Sequence, residues 1–249
     1  ERWQRLYGSK VNRSEKFLVK HWMNSPLWDD IVRQASTVYN LKKMAEDLEP
    51  RLEIQVAPKE QAIFDVLRSV RDASGIPVEM RVAGGWVRDK LLGIPSDDID
   101  IAISHMSGIE FAKVVEQHGM NDPNIGTARD VSLEKKKQEE TKGQKKEEPE
   151  KPELLVGGIQ INGWKIELVP MRVETYDANS RTPTIARTDN VQDDVKRRDL
   201  TINAMYYNID TGEVEDYAGG KEDLKNPEGM VLRTPDESAK TFNEDPLRM

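Results

Sequence analysis

Acidic and apolar side chains alternate between residues 98 and 103, and this pattern constrains the fold more than any other stretch of the chain. Asp98 and Asp100 stand two apart, and Ile99, Ile101 and Ile103 fill the intervening and following positions. Successive side chains of a β-strand project to opposite faces, so the pattern predicts a strand with one apolar face and one carboxylate face. The isoleucines then require a second layer that covers them.

A glycine pair comes shortly before this strand. Gly84 and Gly85 carry no Cβ, so backbone N–H groups can approach a bulky anion there. Residues 86–92 predict a short helix, whose N-terminus adds partial positive charge at the same place. Two carboxylates beside a phosphate cradle suit divalent metals and a nucleotide. A plain glycine turn followed by a solvated strand is the alternative, and the spacing alone leaves both open.

A hairpin further along repeats the same division into faces. Asn162-Gly163 predicts a two-residue turn between strands at 159–161 and 164–169. In the second strand Lys165 and Glu167 share one face, and the apolar residues between them share the other. Helices are predicted over 58–74 and from Ser107 to about 117. The sequence therefore predicts an α/β (α+β) fold, a mixed sheet with helices on one face and acids on the other.

Composition restricts the metals that the chain can bind. The chain has no cysteine and only three histidines, so thiolate sites and structural zinc sites are excluded. A metal must rest on oxygen ligands, which favours Mg²⁺ or Mn²⁺. The net charge of −8 argues against a self-sufficient RNA-binding surface, because phosphate contacts need Lys and Arg. No apolar run reaches the roughly 18 residues of a membrane span, so we predict none.

Three later motifs make the pattern specific. They are Arg197-Arg198-Asp199-Leu200-Thr201-Ile202-Asn203-Ala204, the segment Asp216–Leu224 with its internal Gly219-Gly220, and Glu244-Asp245-Pro246-Leu247-Arg248. Together with the Gly-Gly-Trp-Val-Arg-Asp stretch and the Asp-x-Asp pair, this series resembles the class II nucleotidyltransferases, which comprise tRNA CCA-adding enzymes and bacterial poly(A) polymerases. The resemblance runs from about Met80 to Met249. Residues 84–93 and 102–108 look like the eukaryotic CCA-adding type.

The resemblance implies a domain organisation. Residues 1–57 form an N-terminal extension of unknown role, 58–215 a nucleotidyltransferase head domain, and 216–249 a hinge and the start of a helical neck. Within the head, residues 129–153 hold eight basic and eight acidic residues and almost nothing apolar. Such a stretch buries too little surface to offset its ordering entropy, so we predict a solvated insertion. The first and last residues look like the edges of a longer protein.

The resemblance also implies catalytic roles. Asp98 and Asp100 are the expected ligands of two divalent ions, and Glu167 is expected to complete the acidic cluster from the neighbouring strand. The family usually has Thr and Phe where this chain has Pro170 and Met171. This departure leaves open that Glu167 is a solvated strand acid paired with Lys165.

Nucleotide-binding roles are implied for a second set of residues. Gly84 and Gly85 would admit the triphosphate, Arg88 would supply positive charge, and Asp89 would hold the local geometry. A further set, Arg198, Asp199 and Asn203, resembles the motif that recognises the ribose. A salt bridge at a helix terminus is an alternative for that set, and both roles are compatible.

Base choice has a simple chemical logic. Cytosine and adenine both present an amino donor next to a ring-nitrogen acceptor, whereas uracil and guanine present a carbonyl next to a ring N–H. A carboxylate paired with a guanidinium therefore suits C and A. By the resemblance, Asp245 and Arg248 form this pair; they stand three apart on a predicted helix and so share one face.

The implied activity is template-independent addition of C and A to the 3′ end of tRNA from CTP and ATP, with two metal ions. The implied location is intracellular, in the cytoplasm, nucleus or mitochondria. Two alternatives remain at this stage: a poly(A) polymerase, and a nucleotide-binding interaction subunit without catalysis. The sequence does not indicate the oligomeric state.

Overall fold

The computed structural model describes residues 53–96, 98–134, 155–176, 183–226 and 231–244. They belong to one compact unit that spans Glu49–Met249. The helices are α1 (Pro58–Ser74), α2 (Gly85–Leu91), α3 (Gly108–His118), α4 (Val191–Lys196), α5 (Gly220–Leu224) and α6 (Ser238–Glu244), with a 3₁₀ turn at Thr201–Asn203. The strands are β1 (Met80–Ala83), β2 (Ile99–Ile103), β3 (Arg129–Asp130), β4 (Gly157–Ile161), β5 (Trp164–Pro170), β6 (Arg172–Thr175), β7 (Thr184–Arg187), β8 (Tyr206–Asn208) and β9 (Val214–Glu215).

Seven strands form one mixed sheet in the order β3-β4-β5-β2-β1-β8-β9. β2 and β5 run parallel, and every other neighbouring pair in this sheet is antiparallel. β6 and β7 form a separate antiparallel ribbon. The predicted mixed α/β fold is confirmed.

The apolar face of β2 is buried as the alternation predicts. Ile99, Ile101 and Ile103 are at most 1% exposed. α3 packs on the neighbouring strands β4 and β5, and α1 contacts α3. The contact is tight: a Cβ on Gly108 would lie 1.8 Å from the carbonyl oxygen of Leu168.

The opposite face of the sheet carries a smaller apolar cluster of its own. It comprises Ala83, Ala102, Met171, Val191, Val195, Ala204 and Tyr206. Ala102 lies two residues after Asp100 and therefore on the same face of β2. α4 contributes two members of this cluster, so a short helix that the sequence analysis did not predict stands beside the carboxylates.

The start of α3 and the turn between β4 and β5 lie where the local sequence predicts them. Ser107 accepts a hydrogen bond from the Glu110 N–H while the Glu110 carboxylate accepts one from the Ser107 N–H, which is a capping box at the start of α3. Asn162 and Gly163 have φ of 52° and 84°, as a two-residue hairpin turn requires.

The structure differs from the prediction of a solvated insertion over 129–153 at the first residues of that range. Residues 129–130 are strand β3, paired with β4, and residues 131–134 are helical. Val131 is 7% exposed, and this apolar anchor explains why the first residues of the segment join the sheet. Residues 135–154 and 1–52 lie outside the described residues, so the predictions for those ranges stay predictions.

Candidate active site

A cleft of about 310 Å³ opens on the carboxylate face of the sheet. One wall comes from the glycine turn and α2, the floor from β2 and the end of β5, and the other wall from the chain between α4 and the 3₁₀ turn. Its lining includes Gly84, Gly85, Arg88, Asp100, Asp194, Arg197, Arg198, Asp199 and Asn203. Most of the predicted nucleotide-binding residues therefore meet in one cavity with one predicted metal ligand.

The carboxylates come from two adjacent strands. Asp100 of β2 is in register with Glu167 of the parallel strand β5, so their side chains project to the same face. Both are half-buried, and Asp98 is exposed just before β2 begins. Asp100 lines the cleft, whereas Asp98 and Glu167 do not line it.

These carboxylates fit a hard divalent ion that completes its coordination elsewhere. In the described ranges no group of three or more His, Asp or Glu side chains is arranged to hold a metal. Mg²⁺ is commonly bound by one or two carboxylates together with water and substrate phosphates, not by a complete protein cage. The oxygen donors of β2 and β5 match that requirement.

Arg198 lies close to the glycine turn, at the position where a side chain on Gly84 would project. Gly84 has φ 72° and ψ −128°, a backbone conformation open mainly to glycine. A Cβ there would also lie 3.3 Å from Nη1 of Arg198. The Gly84 N–H donates to the carbonyl of Met205 at 3.2 Å, so this residue offers close approach and not a free donor.

A buried carboxylate of α1 accepts hydrogen bonds from two side chains of helix α2. Glu60 is 2% exposed and accepts hydrogen bonds from the Trp86 indole at 3.1 Å and from Lys90 Nζ at 2.7 Å. Arg88 lies on the same short helix and lines the cleft. The position of Arg88 is thus supported by contacts outside the cavity.

Arg88 is linked to the far wall of the cleft. Its Nη1 donates to Oδ1 of Asn203 at 2.5 Å, and its Nε donates to Asp89 at 2.8 Å. The Asn203 amide donates to Asp199 at 3.1 Å, and Asp199 accepts the Leu200 N–H at 2.7 Å. Four of the predicted nucleotide-binding residues, far apart in sequence, therefore form one hydrogen-bonded chain.

Asp194 is a cleft residue that the sequence analysis missed. It is 1% exposed, and its Oδ1 accepts from Arg197 Nε at 2.7 Å and from the Arg172 N–H at 2.9 Å. Its Oδ2 accepts from Arg198 Nη2 at 3.1 Å and from the Tyr206 hydroxyl. The spacing of Asp194 to Arg197 and Arg198, three and four residues, was the available signal.

The pKa values of Asp194 and Tyr206 follow from burial and from the neighbouring arginines. Burial alone would raise the pKa of Asp194, but the charges of Arg197 and Arg198 and the hydrogen bonds of Arg197 and Tyr206 bring it down to about 2. Burial raises the pKa of Tyr206. Asp194 is therefore ionised and Tyr206 protonated near neutral pH.

The segment predicted as a hinge packs on the 3₁₀ turn. The Asp216 carboxylate accepts the N–H groups of Gly220 and Lys221 at 2.9 and 2.8 Å, which caps α5. Buried Asp223 accepts from the Thr201 hydroxyl at 2.5 Å and from Arg233 Nε at 2.9 Å. A hinge function for this segment stays a prediction. Asp245 and Arg248 lie outside the described residues.

Comparison with known protein families identifies the family to which this fold and this cleft belong. The profile of the poly(A) polymerase head domain matches residues 80–228. The chain belongs to this head domain family. This match confirms the predicted relationship and contains the carboxylates, the glycine turn and the arginine wall. Because the family consists of nucleotidyltransferases, it implies use of a divalent metal.

Individual relatives of the head domain support the same conclusion. The nucleotidyltransferase lcsQ of Purpureocillium lilacinum is 36% identical over 200 residues, which is 75% of this chain and 30% of that protein. The mitochondrial CCA tRNA nucleotidyltransferase of Saccharomyces cerevisiae is 40% identical over 182 residues, 70% of this chain and 30% of that protein. This chain thus spans about a third of the length of these relatives.

A solved structure shares the head domain fold. A CCA-adding enzyme in an apo form superposes with a TM-score of 0.59 and 26% identity, over 84% of this chain and 40% of that one. Across the described residues, no helix is long and apolar enough to cross a membrane.

Proposed function

We propose that the protein is a template-independent RNA nucleotidyltransferase that adds C and A to the 3′ end of tRNA from CTP and ATP. The observation that carries this proposal is the shared cleft: a strand carboxylate, a glycine turn and arginines on two elements line one cavity. The similarity to the yeast CCA tRNA nucleotidyltransferase supports tRNA as the acceptor. That relative is named mitochondrial, which supports a mitochondrial location among those that the sequence predicts.

The carboxylate side of the cleft would bind the divalent ions. Asp98 and Asp100 are the proposed ligands, Mg²⁺ or Mn²⁺ the proposed ions, and Glu167 the neighbouring acid on the same face of the sheet. When bound, two such ions stabilise the charge at both ends of an in-line displacement at phosphorus. Asp98 and Asp100 are the proposed catalytic residues, with Glu167 completing the acidic cluster.

The arginine side would bind the triphosphate. Arg88 and Arg198 line the cleft from opposite walls and carry guanidinium groups that can form paired hydrogen bonds with phosphate oxygens. Arg198 is thus assigned to the phosphates, and the other two residues of its motif to the ribose. Gly84 and Gly85 leave the turn between the two arginines without side chains. Asn203 and Asp199 are linked to Arg88 and lie where polar groups could contact the ribose.

The base would be read by Asp245 and Arg248, which follow α6. A carboxylate that accepts from the amino group and a guanidinium that donates to the ring nitrogen select C and A together. A wrong base would leave buried charged groups unpaired, at a cost of about 2–3 kcal/mol. tRNA contacts would come largely from parts of the protein beyond this head domain, since the chain itself is acidic.

The decisive experiment uses the full-length protein and a tRNA that lacks its CCA end. CTP alone should extend it by two nucleotides, CTP with ATP by three, and ATP alone by none; a tRNA that already ends in CCA is the control. Long tracts of A from ATP alone would identify a poly(A) polymerase instead. No incorporation with any of the four nucleotides would contradict the proposal.

An Arg248→Ala variant tests base reading in the same assay. It should weaken CTP and ATP use and relax rejection of UTP and GTP. Equal loss for all four nucleotides would show that Arg248 does not select the base.

A further inference from the structure

Arg198 is held by three partners that leave part of its guanidinium available. Its Nε donates to the Tyr206 hydroxyl at 2.9 Å, its Nη2 to Asp194 at 3.1 Å and its Nη1 to the Asn203 carbonyl at 3.3 Å. A guanidinium has five N–H donors, so within the described structure one donor on Nη1 and one on Nη2 remain. Nη1 lies 3.3 Å from the position that a Cβ on Gly84 would occupy, and both residues line the cleft.

The Tyr206 hydroxyl occupies the central position in this arrangement. It accepts from Arg198 Nε and donates to Oδ2 of Asp194, so one hydroxyl joins the arginine to its counter-charge. The guanidinium carbon also lies 4.8 Å from the centre of the Tyr206 ring. Tyr206 is 0% exposed and does not line the cleft, so it does not itself reach a bound nucleotide.

We propose that Tyr206 is a positioning residue, which together with Asp194 fixes the Arg198 guanidinium so that its remaining donors meet the phosphates of the incoming nucleotide. This inference rests on the proposed function, since it assigns Arg198 to nucleotide binding. Without the hydroxyl, Nε loses its acceptor and Oδ2 loses a donor, so the guanidinium keeps its hydrogen bonds to Asp194 and Asn203 but is held less firmly. An arginine that must be ordered during binding contributes less affinity than one that is already fixed.

The neighbouring tyrosine offers a matched control. Tyr207 lies on the same strand, β8, and points to the opposite face, where its ring contacts Phe64 and Trp86 at centroid distances of 6.1 and 5.5 Å. Tyr207→Phe removes the same atom from the same strand without touching Arg198. A general weakening of β8 would therefore affect both variants, whereas loss of positioning would affect one.

The test measures dissociation constants of ATP and CTP by calorimetry, with Mg²⁺, on the full-length protein and its Tyr206→Phe and Tyr207→Phe variants. Tyr206→Phe should raise both constants about tenfold, the equivalent of one or two lost hydrogen bonds. The same variant should raise KM with little change in kcat, and Tyr207→Phe should leave both values unchanged. A lower melting temperature with unchanged nucleotide affinity would overturn the proposal, because the hydroxyl would then be structural only.

A double-mutant cycle with Arg198→Lys tests the route of the effect. If Tyr206 acts through Arg198, Tyr206→Phe should cause no further loss of affinity in the Arg198→Lys background. Additive losses would overturn the proposal. Binding is measured without tRNA, so a wild-type protein that binds nucleotides but adds none to tRNA would contradict the proposed function alone. A wild-type protein that binds no nucleotide would overturn both.

Discussion

The two sides of the cleft are built in different ways. On the carboxylate side, Asp100 and Glu167 are placed by the register of two parallel strands, and alternation along each strand sets their direction. On the arginine side, Arg88 is linked by a hydrogen bond to Asn203, 115 residues later in the chain, and Arg198 is held by side-chain and backbone partners four to eight residues away. The first arrangement follows from backbone geometry, and the second depends on mutual contacts of side chains.

This difference separates the expected effects of substitution. A strand carboxylate can be changed without removing what holds it in place, because the backbone ladder remains. An arginine-side residue is both a binding group and a partner of its neighbours, so its loss disturbs the others. We therefore expect the carboxylate side to govern activity with little influence on stability, and the arginine side to govern both.

The largest effect should follow from Asp98→Asn and Asp100→Asn. Loss of a metal-binding oxygen should lower incorporation on the order of 10³-fold, the equivalent of several kcal/mol of transition-state stabilisation. The melting temperature should change by only about 2 °C. Lys165→Ala is the control, since Lys165 is an exposed residue on the same face of β5 as Glu167. Near-normal turnover in either Asp variant would refute the metal assignment.

Asp194→Asn should produce the largest loss of stability. It leaves Arg198 without its carboxylate and Arg197 with the longer ion pair to Glu174 at 3.7 Å. Breaking a buried ion pair costs about 3 kcal/mol or more of unfolding free energy. Asp193→Asn is the control on the same helix, because Asp193 is 34% exposed and its ion pair is with the exposed Lys196. Comparable losses in the two variants would contradict the role given to Asp194.

The pH dependence of that loss provides a second check. The pKa of Asp194 is about 2 in the folded protein against an ordinary value of 3.8, so the carboxylate stabilises the fold fully above about pH 4. Its contribution declines as the pH falls from about 4 towards 2. Urea unfolding of wild type and Asp194→Asn should therefore differ by a constant amount above pH 4 and by less below it. A difference that persists undiminished at pH 2 would argue against this ionisation.

Gly84→Ala tests the junction of the two sides and should cause a smaller loss of stability than Asp194→Asn. Alanine at this positive φ is strained, and its Cβ would crowd Arg198 at 3.3 Å. We expect a loss of about 2 kcal/mol in unfolding free energy. Gly163→Ala is the control, because Gly163 also has a positive φ, 84°, but no atom lies within 4 Å of the added Cβ. This variant should lose only about 1 kcal/mol of unfolding free energy. Equal losses, measured by denaturant unfolding, would show that contact with Arg198 adds nothing.

Local and non-local signals explain which features could be read from the sequence. The start of α3 at Ser107 and the turn at Asn162-Gly163 depend on neighbouring residues, and both were predicted. The short strands β8 and β9 and the ribbon of β6 and β7 were not predicted. β8 is stabilised by pairing with β1, more than a hundred residues earlier, and such a partner leaves no periodic signal in three residues.

The sequence by itself determined the carboxylate face, because alternation along β2 and β5 dictates where Asp100 and Glu167 project. It also identified Gly84, Arg88, Arg198 and the other motif residues as a set. Only the tertiary structure decided how that set is connected: Arg88 meets Asn203 across the cleft, and the Tyr206 hydroxyl joins Arg198 to Asp194. The reason is physical. Side-chain direction in a strand is local, whereas the partner of a buried charge is whichever opposite group the fold brings within reach.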